Sequence, residues 1–250
     1  MIILIEKDEL IKFAKVNNLK PWQQEKHYLQ TLVLMSLSEY NLAFKGGTYL
    51  WFFHGLRRFS EDLDFTFTDK IDKNMVEKVI EFLSYYDISA KIKIICDDKR
   101  SFSFRIDAIG PLSDNEQTPC VVYVEISKRE KPILLLESYS LDTPVYKLPV
   151  KNILGFNLKE ILAEKVRTVL KRDKARDVFD INFLIDNGIE LDYNLIDEKL
   201  KYYKMKYNKD KFIAALKNKN NIYDTELKNL VIGNLPKFEE VIKKIESKFI

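Results

Sequence analysis

Phe44-Lys45-Gly46-Gly47-Thr48-Tyr49-Leu50, followed by Arg58-Phe59-Ser60-Glu61-Asp62-Leu63-Asp64-Phe65, is the stretch on which the reading of this chain turns. From Leu63 to Thr68 the residues are aromatic, aliphatic and β-branched, the composition of a β-strand. Residues two apart on a strand share a face, so Asp62 and Asp64 stand side by side while Leu63 and Phe65 point into a core. Neighbouring carboxylates repel unless a cation or a proton lies between them. A divalent metal meets that need: Mg²⁺ takes one or two protein carboxylates and leaves its other positions to water and substrate phosphates. Upstream, Gly46-Gly47-Thr48 separates an expected strand at Leu42 to Phe44 from an expected helix at Tyr49 to His54. Glycine lets a backbone approach a ligand closely, and the first N–H groups of a helix face an anion. A phosphate cradle therefore precedes a metal-holding Asp-x-Asp. Alone, a Gly-Gly is usually a turn and an Asp-x-Asp a solvated strand end; their order and spacing carry the reading.

The 250 residues can bury one large core or two modest ones. Hydrophobic content of 46% with 32% charged residues is that of an ordinary globular chain. The longest apolar runs, Ile2 to Ile5 and Ile133 to Leu136, are strand-sized, far short of a membrane span. The first residues lack a basic leader, and a cytoplasmic protein is expected. Cys96 and Cys120 sit far apart in apolar surroundings and read as buried reduced thiols, and His27 and His54 are too isolated for a histidine metal site. A net charge of +3 does not by itself imply a nucleic-acid partner.

Lys7 to Asn17 and Trp22 to Leu37 carry helical apolar spacing, an amphipathic pair expected to pack on the sheet. Asn74 to Tyr86 reads as a further helix, followed by strands at Ala90 to Cys96, Ser101 to Ile109 and Cys120 to Ser127. Gly110 to Pro119 reads as a polar loop, and Ile133 to Tyr146 as further strand or hairpin. Strands and helices without regular βαβ alternation predict an α+β domain with a mixed or antiparallel sheet. In the third strand Glu125 stands among apolar residues, and a carboxylate so placed needs a partner, which a metal shared with Asp62 and Asp64 would supply. Asp107 is the rival third acid, on a less apolar strand. Beyond Lys151 to Phe156, read as a connection, the pattern is helical, giving domains of residues 1–151 and 152–250.

The helical part opens with Leu158-Lys159-Glu160-Ile161-Leu162-Ala163-Glu164-Lys165-Val166-Arg167-Thr168-Val169-Leu170-Lys171-Arg172 and continues through Ala175-Arg176-Asp177-Val178-Phe179-Asp180-Ile181. Asp177 and Asp180 share a helix face. On an arbitrary charged helix these groups would be surface ion pairs of little worth. The first motif together with this one resembles the DNA polymerase β-like nucleotidyltransferases, and more closely the AbiEii/AbiGii toxin family, the toxin halves of type IV toxin–antitoxin and phage-abortive systems. The match lies in Lys45-Gly46-Gly47-Thr48, Arg58-x-Ser60-x-Asp62-Leu63-Asp64-Phe65, the Glu164-Lys165 pair, Arg172, and Arg176-Asp177-x-x-Asp180.

The resemblance implies a polymerase β-like nucleotidyltransferase domain followed by an α-helical domain that closes over the nucleotide, and transfer of a nucleoside monophosphate from an NTP to an acceptor with release of pyrophosphate. It implies one or two Mg²⁺ ions on Asp62, Asp64 and a third acid, for which Glu125 matches the hydrophobic-acid-hydrophobic setting. Many relatives carry a lysine two residues before that acid; here the position is Tyr123. Gly46, Gly47, Thr48, Arg58, Ser60, Lys165 and Arg172 are expected to bind the nucleotide. Lys165 would neutralise triphosphate charge, with Asp177 or Asp180 orienting it or assisting proton removal. The expected acceptor is RNA, with tRNA foremost, and a cognate antitoxin the expected partner. Transfer to a protein or small molecule, or a catalytically silent fold used for binding, are the alternatives. Lys199, Lys201, Lys204, Lys206, Lys209 and Lys211, interleaved with Tyr202, Tyr203, Tyr207 and Phe212, form either a nucleic-acid patch or a solvated lysine face over a tyrosine stripe.

Overall fold

The computed structural model describes residues 5–68, 72–113 and 118–249. The opening apolar run up to residue 4 and the middle of the Gly110 to Pro119 loop lie outside the described residues. The chain forms two compact units. The first comprises residues 1–49, 61–132 and 136–155; the second comprises 50–60, 133–135 and 156–250.

The first unit is built on a seven-stranded mixed sheet, a topology in keeping with the expected α+β class. Its strands are β1 (Leu42–Lys45), β2 (Asp62–Phe67), β3 (Ser89–Asp97), β4 (Ser101–Ile109), β5 (Cys120–Ser127), β6 (Glu137–Leu141) and β7 (Lys151–Gly155), in the order β3-β4-β5-β2-β1-β7-β6. β2 runs parallel to β5 and antiparallel to β1, while β7 lies parallel to β1. Alternation sorts the side chains: Phe102, Phe104 and Ile106 of β4, Val122, Val124 and Ile126 of β5, and Leu63 and Phe65 of β2 are all buried. That apolar face packs against helices α2 (Pro21–Leu37) and α4 (Met75–Ser84), and α1 (Lys7–Val16) packs on α2. The polar residues of the same strands occupy the opposite face, which is where the Asp-x-Asp stands.

Three expectations are corrected. Of the stretch Lys151 to Phe156, read as a connection, Lys151–Gly155 is a strand; it is short, with two polar residues in five, and it exists because β1 and β6 flank it. Gly155 lets it pass the Tyr49 ring, since a Cβ there would come within 2.7 Å of the ring's Cζ. Of the stretch Ile133 to Tyr146, only Glu137–Leu141 is strand, ending in a 3-10 turn at Pro144–Tyr146. And α2 is not amphipathic: it is buried on nearly every side, Gln24, Gln30 and Thr31 included. Its polar groups are pins, Gln24 donating to the Tyr146 hydroxyl at 2.5 Å and Gln30 to the Glu61 carbonyl at 2.9 Å. Cys96 and Cys120 are half-buried free thiols, and burial pushes the Cys120 thiol up to about 12.

His27 on α2 lies 2.7 Å from the Tyr146 hydroxyl through Nδ1, and burial lowers its pKa from 6.5 to about 4. The neutral ring belongs to the folded state, whereas the unfolded ring takes a proton at its ordinary pKa. Stability from this residue is therefore full above 6.5 and lost as pH falls towards 4. The melting temperature is expected to fall across that window, and His27→Gln to flatten the fall; an unchanged profile in the variant would assign the slope to other groups.

The second unit is helical: α5 (Leu158–Lys171), α6 (Ala175–Asp186), α7 (Tyr193–Lys201), α8 (Lys209–Lys217), α9 (Asn220–Leu227) and α10 (Phe238–Lys248). α5 is capped by Asn157, whose side chain accepts from the Lys159 N–H at 2.9 Å, and packs on α6, α7 and α8. α6 ends at Asn187-Gly188, where Gly188 takes a φ of +73°. Among the described residues no helix is long and apolar enough to cross a membrane.

Candidate active site

On the sheet, α3 (Gly46–His54) begins directly after β1, three residues earlier than expected, so Gly46 and Gly47 form its first turn. Asp64 pairs with Lys45 on one side and with Glu125 on the other, and Asp62 pairs with Tyr123. Residues paired across strands project to the same face, so Lys45, Asp62, Asp64, Tyr123 and Glu125 form one polar group. Asp107 pairs with Val121, one strand further out, and forms an ion pair with Arg105 at 2.6 Å. Glu125 is thus the acid in register with the Asp-x-Asp. Its carboxylate turns to Arg129 at 3.0 Å, and among the described residues no three acidic, histidine or cysteine side chains already converge on one point.

The surroundings fix the two aspartates. Gly46 takes a φ of +79°, and a Cβ at that position would collide with the Asp64 carboxylate. The Thr48 hydroxyl is buried and gives its proton to the Asp62 carbonyl, and Gln30 holds the preceding carbonyl of Glu61. Thr48 therefore acts here as a pin on the entry to β2. The residues fit a hard divalent cation: two half-buried carboxylates on one face, a third in register, and a glycine that leaves room beside them. Replacing Gly46 with alanine forces a left-handed conformation worth about 1–2 kcal/mol of strain and displaces Asp64. G46A is expected to lose metal binding out of proportion to its drop in melting temperature, measured by Mn²⁺ titration beside thermal unfolding; metal affinity equal to wild type would contradict this packing.

In the helical unit, the other predicted residues form a buried chain of alternating charge. Arg58, 1% exposed, grips Asp180 with Nε and Nη2, both at 2.7 Å. Lys165 reaches Asp180 at 2.5 Å and Asp177 at 3.0 Å, and Arg172 holds Asp177 at 2.7 and 2.9 Å. Arg58 is placed by backbone bonds: the Phe59 N–H donates to the Leu230 carbonyl and the Ile232 N–H to the Arg57 carbonyl. Burial would raise the Asp177 and Asp180 pKa values, but the cations overcome it, Lys165 and Arg172 at Asp177 and Arg58 and Lys165 at Asp180, and both are held below the usual carboxylate range. Arg58, Lys165 and Arg172 thus alternate with Asp180 and Asp177, and the half-exposed Arg172 is the outer end. Ser60, buried, completes the run into β2.

Sequence reasoning gave Lys45 no role, although it sits beside Gly46 and opposite Asp64. It also set Lys199 in the lysine-rich stretch, and the structure corrects this. Lys199 is 0% exposed, 2.6 Å from Glu160 and 3.2 Å from Glu164, while Glu160 accepts from the Ile133 and Leu134 N–H groups. Phe212 is core and Tyr203 lies under Arg167 and Lys171; Lys201, Lys204, Lys206, Lys209, Lys211 and Tyr202 remain exposed.

The fold has counterparts among solved structures. JHP933 from Helicobacter pylori matches with a TM-score of 0.62 at 21% identity, over 91% of this chain and 90% of that one. MenT4, a nucleotidyltransferase toxin from Mycobacterium tuberculosis, matches with a TM-score of 0.65 at 19% identity, over 98% of this chain and 88% of that one. A search of curated proteins finds no match. The model of the nucleotidyl transferase AbiEii toxin of type IV toxin–antitoxin systems matches residues 28–244, a span that takes in the Gly-Gly turn, the Asp-x-Asp, Glu125 and the whole charge chain. The chain therefore belongs to the AbiEii nucleotidyl transferase toxin family.

Proposed function

We propose that this nucleotidyltransferase moves a nucleoside monophosphate from an NTP to RNA, with tRNA as acceptor, in a Mg²⁺-dependent reaction in the cytoplasm. The observation that carries the reading is the register that sets Asp62, Asp64 and Glu125 together on the open face of β2 and β5. When bound there, Mg²⁺ would offset triphosphate charge and stabilise the attacking and leaving oxygens. The protein's own part is positioning. The N–H groups of Gly46 and Gly47, at the start of the nine-residue α3, offer an anion site. Thr48 and Gln30 hold the backbone of Asp62 and Glu61 in place. Glu125 joins the acids on leaving Arg129. Within the helical unit, Arg58 and the two aspartates fix Lys165 in position. Catalysis of this kind rests on orientation and charge stabilisation.

The exposed lysines from Lys201 to Lys211, with Tyr202 among them, support an RNA acceptor, because they offer backbone charge contacts beside a ring. Membership of the family implies a cognate antitoxin as the protein partner. The acceptor is tested by incubating the protein with Mg²⁺ and each α-³²P-labelled NTP in turn, with tRNA, total RNA, cellular protein and small-molecule extract as separate fractions. Label in a tRNA-sized band is expected. Label confined to protein or small molecules would refute the RNA acceptor while keeping the transfer chemistry.

A further inference from the structure

The open face of the sheet continues outward from the acids. Register aligns four residues across four strands: Asp62 of β2 pairs with Tyr123 of β5, Tyr123 with Arg105 of β4, and Arg105 with Lys93 of β3. Residues paired across strands share a face. Their neighbours along the inner strands, Leu63, Val122, Val124, Phe104 and Ile106, are buried on the other one. β3 is an edge strand, so the row leads from the Asp-x-Asp to the margin of the sheet, roughly 14 Å away at about 4.8 Å per strand. Tyr123 is 43% exposed although it adjoins the acids, and Lys93 is exposed. Arg105, anchored through Nε on Asp107 at 2.6 Å, keeps 36% of its side chain exposed.

An in-line displacement puts the attacking and leaving oxygens on opposite sides of the phosphorus. Gly46 and Gly47, the anion site, follow β1, which flanks β2 on one side, and β5 flanks it on the other. With the leaving pyrophosphate on the β1 side, the attacking hydroxyl arrives over β5. Its oxygen bonds to the α-phosphorus as the bond from that phosphorus to the bridging oxygen breaks, pyrophosphate leaving and the hydroxyl proton passing to water. An NTP has no phosphate on the β5 side, whereas an RNA strand ending in that hydroxyl has one at every nucleotide. A ring followed by cations suits an unpaired strand, whose bases can stack on a side chain. We propose that Tyr123, Arg105 and Lys93 form the acceptor track: the unpaired terminal nucleotide of an RNA stacks on Tyr123, and the phosphates upstream of it meet Arg105 and Lys93. The inference rests on the proposed transfer to RNA, and its first test omits metal and NTP so that the two can fail separately.

Binding of a short fluorescent single-stranded oligoribonucleotide to the full chain, without Mg²⁺ or NTP, is followed by anisotropy over a range of salt in wild type, Tyr123→Phe, Tyr123→Thr and Lys93→Gln. Threonine keeps the strand propensity of position 123 and removes the ring. Tyr123→Thr should weaken binding about tenfold while Tyr123→Phe binds as wild type, because stacking uses the ring face. Lys93→Gln should lower the slope of log affinity against log salt by about 0.7, the loss of one phosphate contact on a single strand. No binding by wild type, or equal affinity in wild type and Tyr123→Thr, would overturn the proposal. With Mg²⁺ and labelled NTP added, Tyr123→Thr should raise the KM for RNA about tenfold and leave the KM for NTP unchanged; a rise confined to NTP would overturn the acceptor track. Ring-dependent binding by a wild type that passes no label would uphold the RNA site and refute the transfer to RNA. Label passed to RNA with the same KM in wild type and Tyr123→Thr would do the reverse. Should Tyr123→Thr fail to fold, Lys93→Gln, at an exposed position on the edge strand, decides, and an unchanged salt slope overturns the proposal.

Discussion

Asp64→Ala is expected to abolish transfer while the protein stays folded, with a loss of activity on the order of a thousandfold, the upper end of what removal of one charge-stabilising group costs. Asp64 is central to the acid face: it pairs with Lys45 and Glu125 across both neighbouring strands, and Gly46 leaves room for its carboxylate. The core is on the other face of the sheet, where Leu63 and Phe65 are buried, so stability should remain within about 1 kcal/mol of wild type. Steady-state labelling, circular dichroism and thermal unfolding on the same preparation check both halves. A fully active variant would remove Asp64 from the site, and an inactive variant that had unfolded would assign it a structural role.

Asp180→Ala is expected to act the other way round, through stability first. Arg58 and Asp180 are both buried, and Lys165 shares the same carboxylate, so the substitution strands Arg58 and leaves Lys165 with Asp177 alone. Breaking one partner of such a pair costs about 3–5 kcal/mol, which in a chain of this size lowers the melting temperature by roughly 10 °C. The double variant Arg58→Met, Asp180→Leu should recover part of that loss, since well-packed apolar residues often replace a buried ion pair without penalty. The pH dependence has a definite sign. Asp177 and Asp180 have folded pKa values below their unfolded ones, so their contribution is present above the ordinary carboxylate pKa, about 3.9, and is lost as pH falls below it. Wild type should lose stability in that acid range, below the His27 window, and Asp177→Asn should blunt the loss. A melting temperature unmoved by Asp180→Ala would contradict the buried network.

Much of the fold was legible because it rests on local signals. The alternation of Phe102, Phe104, Ile106 and Ala108 set the bounds of β4, and the apolar run of β5 set those of Cys120–Ser127. The Asp-x-Asp strand and the Gly-Gly turn were legible for the same reason, since the period of a strand alone puts both aspartates on one face. What escaped depends on partners distant in sequence. β7 carries two polar residues in five and is a strand only because β1 and β6 bond to it. Lys199 looks like its neighbours in a lysine-rich run; its burial depends on Glu160 and Glu164, the latter 35 residues away. Lys165 was expected to be oriented by Asp177 or Asp180 and meets both, but Arg58 was read as a nucleotide contact, and its grip on Asp180, 122 residues away, could not be read from the sequence.

The most direct test is the time course of α-³²P label passing from NTP to RNA in wild type and in the Asp62→Ala, Asp64→Ala variant, each with Mg²⁺ and with a chelator. The account predicts label in RNA only for wild type with Mg²⁺. Equal labelling by the variant, or labelling that persists in the chelator, would contradict the assignment of the β2 aspartates as a metal-holding catalytic pair.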